Sequence, residues 1–119
     1  MTESNGSVQI EILARGDCPN RGMAITVVER VVEETGVPVS IKVIDVSSAA
    51  QAEKRLLFGS PTVRVDGRDV DPGPNPHVEF TTDDRVYRTG RGLAGWPEPE
   101  WVRAALLRAV AQTTSNGDQ

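Results

Sequence analysis

Three short apolar patterns in the first half of the chain constrain the fold more than anything else in it. Val8, Ile10 and Ile12 alternate with Gln9 and Glu11, the period of a half-buried strand, over about residues 7 to 14. From Pro19 the period changes: Met23, Val27, Val28, Val31 and Val32 recur at helical spacing over about 19 to 35, and Gly36 is placed to end the helix. Alternation resumes with Val37, Val39, Ile41 and Val43 and extends through Ile44 and Val46. Strand, helix and strand in this order form a βαβ unit. The helix is rich in β-branched valine, which lowers its intrinsic propensity, so packing of its apolar face must supply most of its stability.

The second half continues the alternation of elements. Ser47-Ser48 offers an N-cap for a short helix from Ala49 to Leu57, stopped by Phe58-Gly59. Pro61 to Val65 and Arg68 to Val70 flank Asp66-Gly67, a strong signal for a tight hairpin. Residues 71 to 86 open with Asp-Pro-Gly-Pro-Asn-Pro; the prolines remove backbone donors and fix φ, so an ordered loop is expected there. Pro97-Glu98-Pro99-Glu100 suits a helix N-terminus, and Trp101, Val102, Ala105, Leu106, Ala109 and Val110 follow at helical spacing to about 111. The expectation is one domain over 7–111 with an excursion at 71–96, a flexible N-terminus at 1–6 and a disordered tail at 112–119.

Composition narrows the function classes. Thirteen Lys+Arg against 17 Asp+Glu give a net charge of −4, no basic footprint for a phosphate backbone, and only 4% of residues are aromatic. Nucleic acid is therefore not an expected partner. Met1 to Ser7 has no apolar core of a leader peptide, and no later apolar run approaches the ~18 residues of a membrane span. A cytoplasmic protein without a membrane partner is the expectation. The single cysteine excludes a disulfide framework within the chain. His77, the one histidine, has no partner at ligand spacing, so no metal site is expected. Gly90-Arg91-Gly92 lacks the spacing of a phosphate-binding loop.

The cysteine sits in Ala14-Arg-Gly-Asp-Cys-Pro-Asn-Arg-Gly22, between the first strand and the first helix. If the helix begins at Pro19, Cys18 lies at its N-cap with its sulfur toward the free N–H groups of Asn20 and Arg21, where the macrodipole stabilises a thiolate. Arg15 and Arg21 would add positive charge and Asp17 would oppose it. A lone cysteine can also be a small buried hydrophobe. Trp101 fits the core face of the last helix, whereas Trp96, just ahead of it, could cap a pocket or a dimer patch.

The element order, with Gly59-Ser60-Pro61-Thr62 opening the hairpin, resembles the thioredoxin fold. The implied architecture is α/β, β-α-β-α-β-β-α, with helices packed on a four-stranded mixed sheet. More narrowly, Cys18-Pro-Asn20, Gly59 to Asp69, Arg85-Val-Tyr-Arg88 and Gly92-Leu-Ala-Gly95 resemble small bacterial thioredoxin-like proteins often labelled alkylmercury lyase. The resemblance implies a cis Ser60–Pro61 bond that leaves the Ser60 N–H and C=O free for an extended substrate or a thiol cofactor. It also implies Asn20, Arg21, Ser60, Pro61 and Thr62 as substrate contacts. Where that group usually carries a second cysteine, this chain has Asp84. One thiolate beside a hard carboxylate is a poor Hg(II) site, so organomercurial lysis is not expected.

Three functions remain open on the sequence. Cys18 can exchange with a thiol or attack a small molecule, with an external low-molecular-weight thiol as co-reactant and no tightly bound cofactor. Cys18 and Asp84 can act as nucleophile and acid or base in a specialised lyase or isomerase. The third alternative is a non-catalytic module for a small molecule or protein. A homodimer is compatible with each.

Overall fold

The structure, a computed structural model, describes residues 7–73 and 79–117, with side chains as far as residue 112. The elements in chain order are β1 (Val8–Ala14), α1 (Arg21–Thr35), β2 (Val39–Asp45), α2 (Ala49–Arg55), β3 (Phe58–Ser60) and β4 (Thr62–Val65). They are followed by β5 (Arg68–Asp69), β6 (Thr81–Asp84), β7 (Tyr87–Thr89), β8 (Gly92–Ala94) and α3 (Pro99–Gly117). Among the described residues this is a mixed α/β fold with three helices and a four-stranded sheet of order β2-β1-β4-β5. No helix among the described residues is long and apolar enough to cross a membrane.

β1 pairs parallel with β2 from Val8↔Val39 to Ala14↔Asp45, and antiparallel with β4 from Ile10↔Val65 to Leu13↔Thr62. The alternation in β1 sends Val8, Ile10 and Ile12 to one face of the sheet. There they meet Ala24, Val27, Val28 and Val31 of α1, Val63 and Val65 of β4, and Val102, Leu106 and Ala109 of α3. Burying each large side chain contributes about 1.5–3 kcal/mol, which compensates for the weak helix propensity of the valines. Arg103 of α3 also reaches Glu34 of α1, closing this two-helix layer. On the opposite face Leu13 packs with Val46, Ala52 of α2 and Leu57.

The ends of elements follow local chemistry. Gly36 ends α1 at φ 69°, its N–H donating to the Val32 carbonyl. The N–H of Gln51 donates to Ser48 Oγ at 3.1 Å, capping α2. Asp66 and Gly67 take φ of 50° and 85°, the two positive values of a type I′ turn, between β4 and β5.

Several expectations need correction. α1 begins at Arg21 with Asn20 as its N-cap, and Met23, expected on the apolar face, is 41% exposed while Ala24 is buried in its place. The helix starts late because Cys18 to Arg21 forms a turn, with the Arg21 N–H on the Cys18 carbonyl at 3.2 Å. α2 ends at Arg55, because Leu56 turns left-handed at φ 57° and delivers Leu57 to the core. α3 runs to Gly117, so the expected boundary at 111 falls inside it.

The 71–96 excursion is not a plain loop. It contains β6, β7 and β8; β6 pairs parallel with β3, and β7 pairs antiparallel with β8. These strands are short and lack the apolar alternation that marks a strand in sequence; β6 is polar and its partner β3 is remote, while β7 and β8 pair with each other across a tight turn. His77 lies outside the described residues.

Candidate functional site

The register Leu13↔Thr62 brings Pro61 to the end of the sheet where β1 runs out into Arg15-Gly16-Asp17-Cys18. Two segments distant in sequence therefore share one corner. The Arg15 N–H donates to Ser60 Oγ at 3.0 Å, tying the end of β1 to the residue before proline. The Ser60–Pro61 peptide bond is cis. Cys18 is a free thiol, 7% exposed, with its N–H on the Arg15 carbonyl at 3.1 Å.

Cys18 precedes the helix by a full turn of chain rather than capping it. Asn20 is the N-cap residue, yet its side chain makes no capping hydrogen bond. That side chain lies against Gly95 instead: a Cβ at Gly95 would stand 2.2 Å from Asn20 Nδ2. The absence of a side chain at Gly95 thus lets the chain after β8 approach the turn that carries Cys18. Arg21 is half-buried in the first turn of α1.

Asp84 comes to the same corner through the β3–β6 pairing, opposite Ser60. Its carboxylate accepts from Arg15 Nη2 at 2.8 Å, and it remains 57% exposed. Arg15 also donates through Nη1 to the Thr82 carbonyl at 2.5 Å and through Nε to Asp17 at 3.1 Å. The hydrogen bond to Asp84, then that to Asp17, holds the Arg15 guanidinium above its ordinary pKa. Arg15, considered on sequence only as added positive charge, is the residue that joins the Cys18 turn to β6.

Ser60 and Thr62 are fully buried, and the carbonyls around Pro61 are engaged within the chain. Thr62 Oγ1 donates to the Gly59 carbonyl at 2.8 Å, the Arg85 N–H to the Ser60 carbonyl at 2.9 Å, and the Tyr87 hydroxyl to the Pro61 carbonyl at 2.5 Å. The expectation of a free Ser60 carbonyl is therefore corrected: the backbone of Arg85 takes it.

Arg85 is itself a buried cation, 7% exposed. It donates to Thr62 Oγ1 at 3.0 Å and Asp69 Oδ2 at 2.7 Å, approaches Asp71 at 3.6 Å, and lies 4.4 Å from the centre of the Tyr87 ring. Burial opposes its charge, and Tyr87 with the two carboxylates outweighs that, leaving its pKa above the ordinary value. Burial likewise pushes the Tyr87 phenol well up, although Arg85 pulls it the other way. The signal for this cluster was present in Asp69-Val70-Asp71. An extended chain puts residues i and i+2 on one face, and a paired carboxylate face needs a cation.

A cavity of about 360 Å3 lies beside the β7–β8 hairpin, lined by Arg91, Leu93, Ala94, Trp96 and the Pro97–Glu100 segment. Cys18 does not line it. Trp96 is half-buried against the main core and forms part of that wall; Trp101 also packs on the core. Among the described residues no group of three His, Cys, Asp or Glu side chains is positioned to hold a metal ion.

No family model, curated protein or solved structure matches the chain.

Proposed function

We propose that the chain is a thioredoxin-like, single-thiol protein in which Cys18 exchanges with a small disulfide or attacks a small electrophile. The observation that carries the reading is the corner itself. A free cysteine in the turn between β1 and α1 stands at the sheet end where the cis Ser60–Pro61 bond leads into β4. The element order and the mixed sheet support a thioredoxin-like assignment.

In the exchange, the Cys18 thiolate attacks one sulfur of a disulfide. The new S–S bond forms as the old one breaks, and the departing thiolate carries the electron pair. With no second cysteine in the chain, release requires an external low-molecular-weight thiol, which attacks the mixed disulfide and restores Cys18. Asp84 is ion-paired to Arg15, which favours a role in holding β6 over a role as proton donor.

A non-catalytic module is the second reading, favoured by the low exposure of Cys18. Alkylation discriminates the two. Cys18 in the native protein should react with iodoacetamide faster than the same residue in the denatured chain, and mass spectrometry should place the adduct on Cys18. A native rate below the denatured one sinks the exchange reading and leaves the binding module.

A further inference from the structure

The segment Thr81 to Arg85 occupies the position beside Ser60 that an extended polypeptide would need. An extended substrate added to a sheet edge takes its affinity from main-chain hydrogen bonds. Here β3 is already paired with β6, in the register Phe58↔Thr81 and Ser60↔Asp84. Both ends of that pairing are tied: the Thr81 N–H donates to the Leu57 carbonyl at 2.8 Å and the Arg85 N–H to the Ser60 carbonyl at 2.9 Å.

Three further groups of contacts hold the segment in place. Arg15 grips the Thr82 carbonyl and the Asp84 carboxylate from the β1 side. Phe58 and Phe80 pack at 4.9 Å between ring centres. The Arg85 side chain is anchored by Asp69, Asp71 and Thr62. On the opposite flank, Ser60 Oγ is taken by the Arg15 N–H. Displacing β6 would break several of these contacts together, so a peptide must compete with the chain's own strand.

We infer that β6 is a built-in occupant of the cis-proline edge, and that it restricts Cys18 to compact, low-molecular-weight disulfides that need no backbone pairing. The inference rests on the thiol-exchange reading and narrows its substrate class.

The test compares two mixed disulfides that share one aromatic leaving thiol. One carries 2-mercaptoethanol, and the other a short unstructured peptide with a single cysteine. Attack by Cys18 on the aliphatic sulfur releases the aromatic thiolate, read by its absorbance. The peptide should react no faster than the mercaptoethanol compound. A peptide advantage of about threefold or more, the size that one neutral backbone hydrogen bond confers, overturns the inference.

Amide hydrogen exchange gives an arm that does not depend on the thiol. The Arg85 N–H should exchange about a hundredfold or more slowly than in unstructured chain, and exchange within about tenfold of that rate overturns the inference. A protected Arg85 amide with a Cys18 inert to both disulfides has a different meaning: the edge is shut, but the thiol-exchange reading fails and takes the substrate class with it.

Discussion

The Tyr87 hydroxyl donates to the carbonyl oxygen of Pro61 at 2.5 Å, inside a fully buried environment. Tyr87 belongs to β7, a segment with no strand signal in the sequence, and Pro61 precedes β4 of the central sheet. This bond, with that of Arg85 to Ser60, joins the excursion to the main sheet. Tyr87→Phe leaves the Pro61 carbonyl without this donor, and should destabilise the protein by about 1–3 kcal/mol in urea denaturation. A loss under a few tenths would mean that another donor replaces the phenol.

The same residue gives a pH signature. Burial raises the folded pKa of Tyr87 above its ordinary value of 10.0, so the unfolded chain loses the phenolic proton first. The contribution to stability is fully present below about pH 10, and it is lost as pH climbs from there through the folded pKa. The chain has one tyrosine, so tyrosinate absorbance reports Tyr87 alone. Native protein should show little tyrosinate where free tyrosine is half ionised, and the stability gap between wild type and Tyr87→Phe should narrow above about pH 10.

Gly59 should not tolerate a side chain. Its φ is 134°, and a Cβ there would lie 2.8 Å from Arg85 Cβ and 3.2 Å from Arg85 Cα. Gly59→Ala combines backbone strain of about 1–3 kcal/mol with that collision, and thermal unfolding should show the loss. Gly22 is the control. It lies in the first turn of α1 with nothing within 4 Å of a Cβ, so Gly22→Ala should stabilise by about 0.5 kcal/mol.

Arg85→Ala removes the cation between Asp69 and Asp71 and the donor to Thr62. The expected cost is about 3 kcal/mol, the low end for breaking a buried pair, because both carboxylates retain partial exposure. Arg85→Lys should recover only part of it, since a point charge cannot serve several acceptors in one plane. Full recovery by lysine would show that charge alone matters.

Asp84→Asn separates two roles for this carboxylate. Its pair with Arg15 is 57% exposed on the Asp84 side, so the loss of stability should be under about 1 kcal/mol. Alkylation of Cys18 should stay within a few-fold of wild type. Abolished turnover with alkylation intact would instead favour Asp84 as an acid or base.

Hydrophobic period was enough for the βαβ unit and most of α3, a serine cap for α2 and the Asp66-Gly67 pair for the hairpin, because each is specified by residues near one another in the chain. Local rules also located Cys18 at the strand-to-helix junction. They misplaced the start of α1, because proline at position 19 suits a first helical turn and a preceding β-turn equally well.

Only the tertiary structure decided what surrounds Ser60 and Pro61. β6 is short and polar and pairs with β3 more than twenty residues away, and the Tyr87 side chain of β7 docks on Pro61 at a similar separation, so no short window of sequence contains the cause of either placement. The pairing of Arg85 with Asp69, Asp71 and Thr62 is likewise a property of burial, where an unpaired charge is costly and its partners must converge. Asp84 shows the division most clearly. In the sequence it stood out only through a resemblance, as the residue at the position where similar proteins usually carry a second cysteine. The fold set it opposite Ser60 and gave its carboxylate to Arg15, because parallel pairing of β3 and β6 brings that corner together.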